Sequence, residues 1–274
     1  MEKTILGQNF RFGYYDVPPA ERMDAIRHAR FDAVMFWWGG EYEETDGSRY
    51  ALFDLAQKNG LLCRTVHYPS THADWLWHDD LNGASYEEQF RRALADCGER
   101  GIRNLVVHTT RKFITPPPNE IGAARFRRLA DAAEQAGVTV ALENTRFLEY
   151  NRYLLARVKS DAVGFCFDCG HAHCYTPIED PLGEFGSRLA TTHIHDNDGG
   201  SDEHHPMGEG TVNYADVFAR LCALGARELN LESYCNETSL CYRNSVPMDE
   251  YLQKTHDRLA RTAIKHGFEL ASQV

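Results

Sequence analysis

Acidic and imidazole side chains stand at the ends of four short apolar segments in the second half of the chain. Glu143 follows Thr-Val-Ala-Leu, Asp168 follows Phe-Cys-Phe, Glu232 follows Leu-Asn-Leu, and His193 lies within Ala-Thr-Thr-His-Ile-His. Carboxylate oxygens and imidazole nitrogens together form the ligand sets of Zn²⁺, Mn²⁺ and related ions. The four residues therefore predict a divalent-metal site, provided that the fold brings the ends of these segments together.

Five further potential ligands accompany these four. His67 and His108 end two earlier apolar segments, and His171 completes an Asp-x-x-His spacing. Asp202 and His204 form an Asp-x-His pair in a polar, glycine-rich segment. A hydrogen-bonded structural histidine is the alternative for His67 and His108, and a solvated loop is the alternative for the Asp-x-His pair. We predict all five as candidate ligands that extend the first site.

The elements that must position these residues alternate along the chain. Short apolar segments are separated by amphipathic ones, which is typical of a parallel sheet with crossover helices. Eight such repeats favour a closed (β/α)8 barrel, and no G-x-G-x-x-G turn follows any strand, which argues against a dinucleotide-binding sheet. The predicted strands are Arg11–Tyr15, Ala33–Trp38, Leu62–His67, Asn104–His108, Thr139–Asn144, Gly164–Asp168, Ala190–His195 and Glu228–Ser233. The predicted helices include Ala20–His28, Tyr86–Glu99, Ala123–Glu134, Asp216–Leu224 and Asp249–Lys265.

Side-chain alternation indicates which residues face the barrel interior. Successive residues of a strand point to opposite sides, so Val140 and Leu142 suit the helix layer, while Ala141 and Glu143 share the inner face. The same parity places Asp168 and Glu232 inward at the last positions of their strands. Three converging carboxylates would repel one another unless a cation bound among them. Active sites of such barrels lie at this C-terminal rim.

Composition and charge limit the classes of protein that fit. The 274 residues match one barrel of roughly 250 residues, so we expect a single domain over 1–274. No apolar run approaches the ~20 residues of a membrane span, and the N-terminus is too short and polar for a signal peptide, which predicts a cytoplasmic protein. The net charge of −11, without any block of Lys and Arg, makes nucleic acid an unlikely partner.

The residues from Glu143 to Glu232 resemble the xylose isomerase-like TIM-barrel superfamily. That group contains sugar phosphate isomerases and epimerases, dehydratase-type lyases, and the endonuclease IV-like repair enzymes of AP endonuclease family 2. In the epimerase branch, Glu, Asp, His and Glu from successive strands hold one divalent ion, and the two glutamates transfer protons. The resemblance carries these roles to Glu143, Asp168, His193 and Glu232, with Glu143 and Glu232 as catalytic residues. It also makes His171 a substrate contact.

The endonuclease branch holds three zinc ions with nine ligands, and this sequence offers a candidate for each. The segment Asp202-Glu-His-His-Pro-Met-Gly-Glu-Gly resembles the corresponding ligand segment of that branch. The residues after His67 and His108 depart from the segments that follow those histidines in the endonucleases. The arginine that the epimerases place soon after the His193 position is absent. Between one and three ions, of Zn²⁺ or Mn²⁺, are therefore expected.

The favoured hypothesis is a metal-dependent isomerase or epimerase of a sugar, sugar acid or polyol, working through a metal-stabilised enediolate. A trinuclear zinc phosphodiesterase, a dehydratase-type lyase, and a barrel that only binds a sugar are the alternatives. A small sugar-like substrate, no membrane partner and possible homo-oligomers complete the expectation. Two further groups are candidates for substrate contacts. An apolar wall is expected from Trp37, Trp38, Trp75 and Trp77. Charges that bind an anion are expected from Arg111, Lys112 and Arg146.

Overall fold

The computed structural model describes residues 3–111 and 115–271, and every structural statement below concerns those residues. Eight strands alternate with helices along the chain. The strands are β1 (Ile5–Asn9), β2 (Ala33–Met35), β3 (Thr65–His67), β4 (Asn104–Val107), β5 (Thr139–Glu143), β6 (Val163–Asp168), β7 (Leu189–Ile194) and β8 (Glu228–Leu231). The helices are α1 (Pro19–His28), α2 (Glu43–Asp46), α3 (Arg49–Lys58), α4 (Leu81–Glu99), α5 (Glu120–Ala136), α6 (Leu148–Arg157), α7 (Cys169–Tyr175), α8 (Pro181–Phe185), α9 (Tyr214–Ala223), α10 (Leu240–Arg243) and α11 (Met248–Lys265), with short 3₁₀ helices at Gly40–Tyr42, Ala73–Trp77 and Gly186–Arg188.

The strands form a parallel sheet that closes on itself. Their spatial order is β2-β1-β8-β7-β6-β5-β4-β3. The two ends of this order meet through isolated parallel bridges between Ala33 and Leu62 and between Trp37 and His67. The predicted (β/α)8 barrel is thereby confirmed.

The first predicted strand is wrong. The strand is Ile5–Asn9, and Arg11–Tyr15 is part of the loop that follows it. Gly7, Gln8 and Asn9 gave this segment a polar pattern, although all five residues of the strand are buried. A glycine is required at position 7 because a Cβ there would lie 1.9 Å from the Oδ1 atom of Asn230 on β8. The other seven predicted strands overlap the observed ones.

The barrel interior has a small apolar layer beneath the rim. Val106, Ala141 and Cys166 are fully buried and form their own cluster, apart from the core between strands and helices. This separation agrees with the side-chain parity inferred from the sequence. Because these side chains are small, the longer rim residues above them can converge on the barrel axis.

The lower layer of the interior is polar but contains neutral hydrogen-bond donors. The Thr65 hydroxyl donates to Glu228 Oε2 over 2.7 Å, and Asn230 Nδ2 donates to Thr191 Oγ1 over 3.0 Å.

No helix of the described ranges is long and apolar enough to cross a membrane.

Candidate metal centre

Glu143, Asp168, His193 and Glu232 meet at the C-terminal rim of the barrel, and we call them the central cluster. They come from β5, β6, β7 and the residue after β8, and one ligand atom of each lies within 4.8 Å of the others. His193 Nδ1 is 3.0 Å from Glu143 Oε1, 2.9 Å from Glu232 Oε2 and 3.8 Å from Asp168 Oδ2. All four side chains are buried.

These separations fit one small divalent ion. Ligand atoms about 2.1 Å from a tetrahedral ion lie about 3.4 Å from one another. The observed donor–donor distances of 2.9–3.8 Å bracket that value. The donor set of three carboxylates and one imidazole also suits Zn²⁺ and Mn²⁺. Metal binding by these residues stays a prediction that the geometry supports.

Electrostatics keep both glutamates of the central cluster ionised. Burial by itself raises the pKa of Glu232, but His193 and His204 outweigh burial and lower that pKa to about 2. Burial likewise opposes ionisation of Glu143, whose pKa His193 nevertheless holds well below its ordinary value. The same contacts raise the pKa of His193, so its imidazolium supplies the positive charge that a bound ion would supply among these carboxylates.

A second group, the histidine cluster, shares Glu143 with the first. His67 Nε2 and His108 Nε2 lie 3.1 Å and 3.0 Å from Glu143 Oε2, whereas Glu143 Oε1 faces the central cluster. Burial lowers the pKa of His108, which favours the neutral imidazole that ligates a metal. Glu143 is thus placed to give one oxygen to each of two neighbouring ions.

A third group, the loop cluster, joins His171 to the loop after β7. Asp202 Oδ2 lies 3.2 Å from His171 Nε2, and Asp202 Oδ1 lies 3.3 Å from His204 Nε2. His195 is the fourth member of this group. All nine residues predicted as ligands therefore fall into the three clusters, which could each hold a metal ion.

Three of the histidines have their ring orientation fixed by backbone carbonyl groups. The Nδ1 atoms of His67, His171 and His204 lie 2.8, 3.1 and 2.8 Å from the carbonyl oxygens of Tyr68, Asn144 and Glu232. A neutral imidazole that donates its Nδ1–H to a carbonyl keeps the Nε2 lone pair for a metal. Each of these Nε2 atoms faces a cluster carboxylate.

The Asp-x-x-His spacing is explained by the start of α7. Asp168 is the N-cap residue of that helix, and its Oδ1 accepts a hydrogen bond from the His171 backbone N–H over 2.7 Å. Asn144 ties the neighbouring strand end to it, because Asp168 N–H donates to Asn144 Oδ1 over 2.8 Å. One carboxylate therefore caps a helix with one oxygen and faces the central cluster with the other.

Asp196 organises the long loop that carries Asp202 and His204. Its carboxylate accepts hydrogen bonds from the backbone N–H groups of Gly208 at 2.7 Å and Val212 at 3.0 Å. Asp196 therefore ties the start of this loop to its end. His204 adopts a φ of +51°, a left-handed conformation that costs a non-glycine residue roughly 1 kcal/mol or more and that tends to occur at functional sites.

His195 lies beside the nine predicted ligands but was not one of them. It is fully buried, and its Nε2 lies 3.0 Å from Asp168 Oδ1. Its ring stacks on that of His204 at a centroid distance of 3.9 Å. His195 thus contacts one member of the central cluster and one of the loop cluster. Only the His-x-His spacing with His193 hinted at this position.

The aromatic and basic candidates divide between core and site. Trp38 and Trp77 belong to the hydrophobic core, whereas the ring of Trp37 contacts that of His67 in a tilted arrangement, at a centroid distance of 4.2 Å, and forms part of an apolar wall beside the histidine cluster. Arg111 and Arg146 line a cavity that His108 and His171 also line. Lys112 lies outside the described residues.

Comparisons with known proteins agree with this architecture. Residues 23–266 match the family model described as xylose isomerase-like TIM barrel. The uncharacterized protein y4fM of Sinorhizobium fredii is 24% identical over 90% of this chain and 94% of its own length. A solved L-ribulose 3-epimerase superposes with a TM-score of 0.75 at 16% identity, covering 96% of this chain and 95% of the other, and a D-tagatose 3-epimerase-like protein superposes with a TM-score of 0.71 at 20% identity, covering 94% and 99%.

At these identities the solved structures establish the fold, while the family match extends over most of the chain. The residues that carried the resemblance in the sequence, from Glu143 to Glu232, lie within the matched range. This chain belongs to the xylose isomerase-like TIM-barrel family.

Proposed function

We propose that this protein is a divalent-metal-dependent isomerase or epimerase of a sugar, sugar acid or polyol derivative. The observation that carries the proposal is the central cluster, in which two ionised glutamates at the ends of β5 and β8 both contact His193. In the proposed reaction Glu143 and Glu232 face the substrate carbon from different sides. Structural likeness to sugar 3-epimerases is consistent with this proposal.

The reaction needs a base on one face of a carbon next to a carbonyl and an acid on the other. In the proposed reaction one glutamate removes the proton from that carbon, and the opposite glutamate returns a proton to the other face. A bound divalent ion supplies positive charge that polarises the carbonyl and makes the neighbouring C–H more acidic. His193 and Asp168 would hold that ion, and Trp37 would exclude water from one side of the site.

Carbon-bound proton exchange tests this proposal. Incubation with a panel of ketoses, sugar acids and their phosphates in deuterated water should place deuterium on the carbon next to the carbonyl. Glu143→Gln and Glu232→Gln should lose the exchange, since the amide cannot accept the proton. Absence of exchange from every member of the panel would contradict the proposal.

A trinuclear zinc phosphodiesterase is the second candidate, favoured by one specific observation. Three clusters lie side by side, and Glu143 offers one oxygen to two of them. A glutamate that bridges two ions has no oxygen left for proton transfer, so the isomerase proposal requires one tightly bound ion. Elemental analysis separates the two, because the phosphodiesterase predicts about three ions per chain together with cleavage of a duplex that contains an abasic site.

A further inference from the structure

A polar cavity of about 290 Å³ opens beside the three clusters, at the loops that follow β4 and β5. His108 and His171 line the side of this cavity that faces the clusters. Arg111 and Arg146 line it as well. The cavity volume lies at the small end of the range for ligand sites, roughly 300–1,000 Å³, and suits a substituent or a small molecule.

The two guanidinium groups are held at this cavity by neighbouring side chains. Arg146 lies over the ring of Tyr175, with its central carbon 4.2 Å from the ring centroid. Arg111 donates from Nη1 to Ser70 Oγ over 3.1 Å. A guanidinium carries five N–H donors, and its planar geometry matches the oxygens of a carboxylate or phosphate.

A buried hydroxyl group completes the donor set. Thr145 is only 7% exposed, and within the described residues its Oγ1 makes no hydrogen bond. Thr145 also lines the cavity, between the strand end that carries Glu143 and the guanidinium of Arg146. A buried hydroxyl without a partner is unfavourable, and a ligand oxygen in the cavity would relieve that cost.

We propose that this cavity binds an oxyanion substituent of the substrate, a phosphate or a carboxylate, through Arg111, Arg146 and Thr145. This inference rests on the proposed function and narrows its substrate to anionic sugar derivatives. The carboxylate of Asp202 also lines the cavity, where His171 and Tyr175 both contact its Oδ2 at 3.2 Å, and the two arginines supply the positive charge that attracts an anion. Binding the substituent here holds the adjoining carbons against the central cluster.

Inorganic phosphate provides the first test, measured by calorimetry on the chelator-treated protein so that no metal contributes. Arg146→Met and Thr145→Val should each weaken phosphate binding, with roughly a tenfold rise in Kd for the arginine variant. Arg91→Met is the control, because Arg91 is exposed on α4 and pairs with Glu88. Equal affinity in the wild type, Arg146→Met and Thr145→Val would overturn the proposal.

The second test compares a ketose with its phosphate ester and with the corresponding sugar acid in the metal-loaded enzyme. Arg146→Met should raise the KM for the anionic substrate about ten- to a hundredfold and leave the neutral ketose unaffected. The phosphate and acid arms identify which oxyanion the site prefers. Exchange that occurs equally with neutral and anionic sugars, unaffected by Arg146→Met, would overturn this inference and leave the proposed function standing. If phosphate binding depends on Arg146 but no sugar exchanges its carbon-bound proton, the proposed function is contradicted and the anion site stands.

Discussion

Strand β8 carries a buried glutamate at its start and another directly after its end, and the two have opposite surroundings. Glu228 and Glu232 point into the same barrel and are 6% and 4% exposed. Glu228 accepts hydrogen bonds from Thr65 Oγ1 at 2.7 Å and Asn104 Nδ2 at 3.5 Å. Glu232 instead lies 2.9 Å from the imidazole of His193.

The difference shows that burial alone does not make a carboxylate reactive. Burial raises the pKa of Glu228, and its neutral hydrogen-bond donors only partly oppose that effect. Burial acts on Glu232 in the same direction, but the imidazoles around it reverse the shift. The lower layer therefore satisfies a carboxyl group as part of the barrel's packing, whereas the rim assembles charges that a cation can bridge.

The largest contrast should appear when each glutamate becomes glutamine. Glu232→Gln should slow carbon-bound proton exchange by roughly 10²–10⁴-fold, the usual contribution of a positioned base. Glu228→Gln keeps an acceptor oxygen for Thr65 and should leave the exchange rate within about threefold of wild type. Deuterium incorporation followed by NMR measures both. Equal losses in the two variants would mean that Glu232 acts through packing alone.

The loop after β7 gives the next largest effect, because the Asp196 carboxylate ties its start to Gly208 and Val212 near its end. Asp196→Ala removes the acceptor for these two N–H groups and for that of Asn197, and should lower the free energy of unfolding by about 2–3 kcal/mol. Urea denaturation measures that loss, and limited proteolysis should cut the variant between residues 196 and 212. Asp198→Ala, an exposed neighbour in the same loop, is the control and should behave as wild type. An Asp196 variant as stable and as resistant as the control would refute the role of Asp196 in closing the loop.

His195 tests how far the rim depends on a positioning residue. His195→Ala removes the partner 3.0 Å from Asp168 Oδ1 and should weaken metal binding about 10- to 100-fold, as loss of such contacts usually does. His205→Ala is the matched control, since His205 bonds Thr238 and belongs to none of the clusters. Competition with a chromophoric chelator gives both affinities. The same affinity in the two variants would show that Asp168 needs no orienting partner.

The smallest effect concerns pH and the lower layer. The folded pKa of Glu228 is raised by burial, so the folded protein keeps a proton that the unfolded chain has already released. This group's contribution to stability is full below the unfolded pKa and is lost as pH rises through the folded pKa. Glu228→Gln avoids that loss, so its free energy of unfolding relative to wild type, measured by urea denaturation, should increase as pH rises above the ordinary glutamate pKa of about 4.3. A stability difference that stays constant with pH would contradict this account of the lower layer.

The sequence predicted the rim well because local patterns determine it. Alternating apolar residues that end in Glu143, Asp168 or Glu232 specify both strand and side, and the Asp-x-x-His spacing follows from the cap of α7. The strand Ile5–Asn9 was missed because Gly7 and Asn9 are buried through tertiary contacts, the approach of Asn230 to Gly7 and the hydrogen bond from Asn9 Nδ2 to the Tyr234 hydroxyl. His195 was not among the predicted ligands because its contacts with Asp168 and His204 depend on how the loop after β7 folds back. The sharing of Glu143 by two clusters likewise depends on closure of the barrel.

Metal content tests the central claim most directly. Elemental analysis of protein purified without chelator or added metal should find about one tightly held divalent ion per chain in wild type and in Glu228→Gln. His193→Ala, which removes the imidazole shared by both rim glutamates, should retain less than about a tenth of that ion. The same metal content in all three proteins, or none in wild type, would contradict a divalent-metal site in the central cluster.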